Sequence, residues 1–160
     1  MTPRLGVGYQ GEPGAYSEEA CLSLFGSEIQ PVPCDSFDAV FEGVEAGRLD
    51  YGVVPVENSL AGSIHRNYDL LLQHALHIIA EHNLRVSHCL IAHPGATLET
   101  IERVFSHPQA LAQCEQSLSA LSDVEIHATY DTAGSVKMVK ESGDPHAAAI
   151  ASARAAEIYG

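Results

Sequence analysis

Two rhythms of apolar and polar residues run along this chain, and the switches between them mark its elements. Short runs rich in β-branched or small apolar residues at 5–9, 29–32, 51–54, 76–80, 88–91, 124–130 and 147–150 have the length and composition of strands. Between them, apolar residues recur at helical spacing. The clearest case is Phe37, Val40, Phe41 and Val44, at i, i+3, i+4 and i+7 behind a Ser36 cap. Helices are also predicted over 64–74, with Tyr68, Leu71 and Leu72 facing inward, and behind Pro108, with Leu111, Cys114, Leu118 and Leu121 as a buried stripe. Thr97 is expected to cap a short helix, Val104-Phe105 to form a short strand, and Asp131 and Ser152 to open the last two helices. Gly26 and Gly47 read as helix stops. Strand followed by helix recurs throughout, with no sequence repeat of roughly 20–50 residues, which predicts an α/β class with parallel sheet.

Composition narrows the classes of function. The 160 residues are 46% hydrophobic and 18% charged, the balance of a folded globular chain. No apolar run approaches the roughly 20 residues that span a bilayer. The opening Met1-Thr2-Pro3-Arg4 shows no charged-then-apolar leader, so a cytoplasmic location is expected, or plastid stroma if the source is a photosynthetic eukaryote. A net charge of −13 argues against nucleic acid and anionic membrane as partners, while leaving room for a small anion held by local donors. Cys21, Cys34, Cys89 and Cys114 form no C-x-x-C pair and read as buried reduced thiols. His65, His74, His77, His82, His88 and His93 crowd one region, but no H-E-x-x-H motif is present and no metal site is expected.

Candidate chemistry sits at strand-to-helix junctions. Gly6-Val7-Gly8-Tyr9-Gln10-Gly11 matches a dinucleotide fingerprint literally, yet only a short segment precedes Gly6, so the first glycines fall within the strand and no dinucleotide is expected. The junctions that remain are Gly14-Ala15-Tyr16-Ser17, Glu57-Asn58-Ser59, Ser106-His107-Pro108-Gln109 and Asp131-Thr132-Ala133. Open α/β sheets bind ligands beyond the carboxyl ends of their strands, and helix N-termini there favour anions. Simple capping accounts for Ser17 and Asp131 and accounts poorly for the amides Asn58 and Gln109. With no G-x-S-x-G elbow, Walker loop or reactive-cysteine motif, such a site suits orienting a carboxylate-bearing molecule and assisting a leaving oxygen.

Gly11-Glu12-Pro13-Gly14-Ala15-Tyr16-Ser17, Val54-Pro55-Val56-Glu57-Asn58-Ser59-Leu60-Ala61-Gly62-Ser63, Ser106-His107-Pro108-Gln109-Ala110-Leu111-Ala112-Gln113-Cys114, Asp131-Thr132-Ala133 and Ala148-Ala149-Ile150-Ala151-Ser152 occur in that order. Together they resemble the prephenate dehydratase family. Gly62-Ser63-Ile64-His65-Arg66-Asn67-Tyr68-Asp69-Leu70-Leu71 is most similar to its plant-type arogenate dehydratases. The resemblance implies two α/β lobes like type II periplasmic binding proteins, with mostly parallel sheets and a cleft between them. It implies a carbon–oxygen lyase of phenylalanine biosynthesis, turning prephenate into phenylpyruvate or arogenate into phenylalanine without metal or organic cofactor. It further implies Asn58, Ser59, Gln109, His107, Tyr16 and Ser17 around the substrate, Thr132, Glu57 and Ser106 as catalytic candidates, and a homo-oligomer for the complete protein.

In that family a returning strand, a Thr-Arg-Phe motif bearing the favoured acid, and a regulatory ACT domain follow the segment that ends here at Gly160. The expectation is therefore part of a catalytic domain, lobe 1 over about 1–75 and lobe 2 over about 76–160, weakly stable and nearly inactive by itself. The competing expectation is a non-catalytic two-lobed module that holds an aromatic or dicarboxylate ligand.

Overall fold

Leu49 fills the space in which side chains at Gly8 and Gly43 would stand, its Cδ1 lying 2.4 and 2.5 Å from where their Cβ atoms would be. This is the packing reason for glycine within a strand, and it draws α2 (Phe37–Glu45) onto β1 (Gly6–Gln10). The chain is seen in a computed structural model describing residues 4–121 and 123–160, so the leader expectation for Met1–Pro3 falls outside the described residues. It divides into two compact units: one takes the chain up to Gly11 and Tyr16–Arg85, the other Glu12–Ala15 and Val86–Gly160.

In the first unit β1 is the middle strand, parallel to β2 (Gln30–Cys34) on one side and β3 (Tyr51–Val53) on the other. Pro31 and Pro33 lie on β2, an edge strand, where missing amide donors cost no ladder bonds. α1 (Tyr16–Phe25) and α2 pack on this sheet, burying Val7, Tyr9, Cys21, Val40 and Phe41. Burial pushes the Cys21 thiol up to about 12, with the Glu18 charge adding to it. Cys34, Cys89 and Cys114 are also free but only partly buried, so the buried-thiol expectation holds fully for Cys21 alone.

Two expectations for the next stretch are corrected. In α3 (His65–Gln73) the buried residues are Asn67 and Leu70, while Tyr68 is 42% and Leu72 87% exposed. The inward stripe is Asn67, Leu70, Leu71 and His74; α3 meets α2 near both ends, through the Arg66–Asp38 ion pair and through His74, which lies 5.4 Å from the Phe41 ring. Residues 75–88 form neither strand nor helix, so the strand expected at 76–80 is absent; Ile78 and Ile79 are 73% and 66% exposed, without a sheet neighbour to cover them. The second unit resumes at Val86, after this stretch.

His74 Nδ1 and the Ala75 amide meet the Glu45 carboxylate at 2.8 and 3.2 Å. The hydrogen bond with His74, and then that from Ala75, holds the Glu45 carboxyl below its ordinary value. A carboxyl depressed on folding stabilises above its unfolded pKa, and that stability is lost as pH falls through the folded pKa. Urea unfolding at about pH 7 and about pH 3 should show a smaller acid-side loss for Glu45→Gln than for the wild type. Equal losses would remove Glu45 from the acid sensitivity of this unit.

In the second unit the sheet order is β6 (Cys89–Ala92), β9 (Ala147–Ala151), β7 (Arg103–Ser106), β8 (Glu125–Ala128). β7 runs parallel to β8 and β9, and β6 is antiparallel to β9. Every residue of β9 is buried, and its alanines let α6 (Thr132–Ser142) approach closely. Ile101, Val104, Ala110, Ala148 and Ile150 form a core on which Leu111, Cys114, Leu118 and Val124 pack. The helix predicted behind Pro108 breaks at Cys114 into α4 (Pro108–Gln113) and α5 (Glu115–Leu118), so its stripe is only half-buried. Thr97 closes a turn and caps no helix: its amide donates to Thr100 Oγ1, and its carbonyl takes the amides of Thr100 and Ile101. α7 (Ala153–Tyr159) completes the unit behind a Ser152 cap.

Candidate functional site

In the first unit the segment after β3 does not lead straight into a helix. Glu57–Asn58 (β4) pairs antiparallel with Gly62–Ser63 (β5), making a small hairpin before α3. Asn58 Oδ1 accepts the amides of Leu60 and Ala61 at 3.0 and 3.3 Å, a local turn of the kind asparagine favours. The expectation that Asn58 has no local task is thereby corrected; the turn uses its oxygen and leaves its amide N–H groups outside. Glu57 and Ser59 beside it are exposed. Tyr16 and Ser17, half-buried, begin α1, but Gly14 and Ala15 just before them pack with the second unit, so the expected four-residue junction divides.

In the second unit the ends of β7 and β8 lie side by side, and the Thr129 amide donates 2.8 Å to the Ser106 carbonyl. Ser106 is the last residue of β7 and directly precedes the N-cap of α4. It is fully buried, and its hydroxyl donates to the Ile150 carbonyl at 2.6 Å. That hydrogen bond ties neighbouring strands together. His107 is the N-cap of α4: its Nδ1 accepts the Gln109 amide at 3.2 Å, which leaves the neutral ring its proton on Nε2. The Gln109 side chain is exposed in the first turn of α4. Asp131 caps α6 by accepting the Gly134 amide at 2.9 Å, as capping alone predicts, and Thr132 follows as the first helical residue, half-buried.

Three residues were not singled out in the sequence. Glu12 receives the Tyr130 hydroxyl and the Lys137 ammonium, each at 3.4 Å. Partial burial, and next the Glu12 and Asp131 charges, raise the Tyr130 phenol, while the hydrogen bond to Glu12 raises Lys137. The three come together only in the fold, since Glu12 is 118 residues from Tyr130 and 125 from Lys137. Behind them the Ser152 hydroxyl donates to the Gly14 carbonyl at 2.6 Å and accepts the Ala155 amide at 3.0 Å, so one side chain fixes the loop and caps α7.

Among the described residues, no group of three or more His, Cys, Asp or Glu is arranged to hold a metal ion. His88 meets Gln113, and His93 and His146 meet the carbonyls of Val139 and Thr100, each in a separate contact. No helix of the described residues is long and apolar enough to cross a membrane. The side chains at the junctions of each unit include amides and hydroxyls, and in the second unit an imidazole and an ammonium, beside the carboxylates of Glu57, Asp131 and Glu12. Amide, hydroxyl and ammonium donors are the groups that orient an anion and a leaving oxygen.

The family profile for prephenate dehydratase matches residues 7–160. Arogenate dehydratase 3, chloroplastic, of Arabidopsis thaliana is 55% identical over 98% of the chain, which spans 37% of that relative. Arogenate dehydratase/prephenate dehydratase 6, chloroplastic, of the same organism is 54% identical over 98%, spanning 38% of the relative. Two solved structures superpose with a TM-score of 0.88: GqqA, described as a novel type of quorum quenching acylase, at 38% identity over 97% of this chain and 56% of that one; and prephenate dehydratase from Arthrobacter aurescens in complex with L-Phe, at 29% identity over 96% and 52%.

Proposed function

The chain belongs to the prephenate dehydratase family, and from that premise we propose that the protein containing it catalyses the decarboxylating dehydration of prephenate or arogenate. The observation that carries the proposal is the 55% identity to a relative named arogenate dehydratase, extending over 98% of the chain. A non-catalytic binding module is not favoured, because the relatives at this level are named as enzymes.

The chemistry asks for little beyond placement. The ring carboxylate leaves as CO2, the electron pair of its C–C bond enters the ring, and the C–O bond opposite breaks. The departing hydroxide takes one proton to become water. Aromatisation provides the driving force, so the protein orients the carboxylates and stabilises the leaving oxygen. Gln109 and the Asn58 amide hold the substrate, with His107, Ser59, Tyr16 and Ser17 around it. Thr132 offers a hydroxyl at the N-terminus of α6, where the helix dipole favours developing negative charge, and Glu57 is the alternative proton source. Ser106 serves from beneath, by holding β7 to β9. A plastid location accompanies this reading if the source is a photosynthetic eukaryote, as the chloroplastic relatives suggest.

The test is direct. Prephenate and arogenate are supplied separately to the 160-residue chain and to the longest natural chain that contains it, and phenylpyruvate and phenylalanine are followed. Product from at least one substrate is expected of the longest chain. A folded protein that forms neither product overturns the proposal, and release of a fatty acid from an acylated amine would point instead to an acylase.

A further inference from the structure

A fully buried asparagine sits in the first turn of α3, and nothing in the chemistry proposed above uses it. Asn67 has 0% exposure; its Nδ2 donates to the Pro55 carbonyl at 2.7 Å, and its Oδ1 is buried without a hydrogen-bond partner. An unpaired buried acceptor is destabilising, and a leucine, whose side chain has the same branched set of heavy atoms, would avoid that cost. Stability alone therefore does not favour asparagine here. What asparagine supplies is the one bond it donates.

That bond ends at the neck of the hairpin. Pro55 and Val56 lead from β3 into β4, and the Val56 carbonyl accepts the Ile64 amide at 2.9 Å. Both carbonyls of the neck are thus held from the start of α3, one by a backbone amide and one by Asn67. Beyond the neck the hairpin has two residues in each strand and the Asn58 turn, with Leu60 77% exposed at its tip. So short a ladder does not hold its own direction. We propose that Asn67 is a positioning residue: its bond to the Pro55 carbonyl sets the direction in which the hairpin leaves the sheet, and so where the Asn58 amide meets the substrate. The substrate half of this statement rests on the dehydratase proposal; the hairpin half rests on geometry alone.

Asn67→Leu removes the donor and the unpaired acceptor together. Hydrogen exchange in this variant should quicken at the Leu60, Ala61 and Ile64 amides by at least about tenfold, with the β1 and α2 amides unchanged and the fold intact. In the longest natural chain KM should rise by about tenfold with kcat within about twofold, the pattern of lost ground-state binding. Asn58→Asp combined with Asn67→Leu should be no worse than Asn58→Asp alone. Wild-type exchange at those three amides, or fully additive kinetic effects, overturns the proposal. If the wild type turns over neither substrate, the dehydratase proposal fails, and the exchange measurement alone decides the role of Asn67. Should Asn67→Leu not fold, Asn67→Ala carries the same exchange comparison.

Discussion

Gly14→Ala is expected to be among the most damaging single-methyl substitutions in the second unit. Gly14 is buried at φ +93°, and a Cβ there would lie 2.8 Å from Ala155 Cα and 3.0 Å from Ala155 Cβ. Ala155 is itself fully buried in α7, so the clash is with helix backbone and not with a movable side-chain tip. The left-handed conformation costs a residue with a side chain about 1–2 kcal/mol, and overpacking adds about 1–3. The sum, about 2–5 kcal/mol, corresponds to a fall in Tm of about 6–15 °C for a chain of this size. Gly143→Ala is the matched control, because Gly143 has φ +64° and nothing within 4 Å of the added methyl. It should lose only the conformational part, about 1–2 kcal/mol. Thermal melts of the two variants side by side decide the matter; equal shifts would mean that the loop holding Gly14 yields without cost.

The largest effects on activity are expected at the two amides, and the structure dictates which substitutions to compare. Alanine at Asn58 would remove both the turn and any ligand contact, since Oδ1 holds the Leu60 and Ala61 amides. Asn58→Asp keeps an oxygen for the turn and replaces only the N–H donor. Gln109→Glu does the same in the first turn of α4, where the backbone contact of this residue is made by its amide to His107 and not by its side chain. A lost hydrogen bond to a charged group costs about 1.5–3 kcal/mol, and the new negative charge facing a carboxylate adds to it. Each variant should lower kcat/KM in the longest natural chain by at least one to two decades, roughly. Thermal stability should change little. Retained wild-type kinetics in either variant would remove that residue from the proposed binding set, and a large loss of stability would reassign it to the scaffold.

Much of this was legible without coordinates, and the limits are physical. Helix α2 was readable because its stripe, its Ser36 cap and its stop are all local in the chain. Gly6 and Gly8 lie inside β1, where they were expected. Pro108 at the start of α4 and Asp131 as cap of α6 were readable for the same reason as α2. α3 was misjudged because its run of Tyr68, Leu70, Leu71 and Leu72 offers more than one apolar face, and periodicity cannot say which face α2 will cover. The segment 76–80 has the apolar composition of a strand, but a strand exists only when another lies beside it.

By itself, then, the sequence determined the alternation of elements, the α/β class, the membership carried by ordered motifs, and the location of candidate polar groups at strand ends. These properties depend on residues a few positions apart, where backbone preference and hydrophobic spacing act directly. Only the tertiary structure decided what those polar groups are free to do. It turned the Ser106 proton to a carbonyl 44 residues away, committed the Asn58 oxygen to a turn, and brought Glu12 to Tyr130 and Lys137. It also buried Asn67 against Pro55. A buried donor takes the nearest acceptor in space, whatever their separation along the chain, and that choice is made by packing.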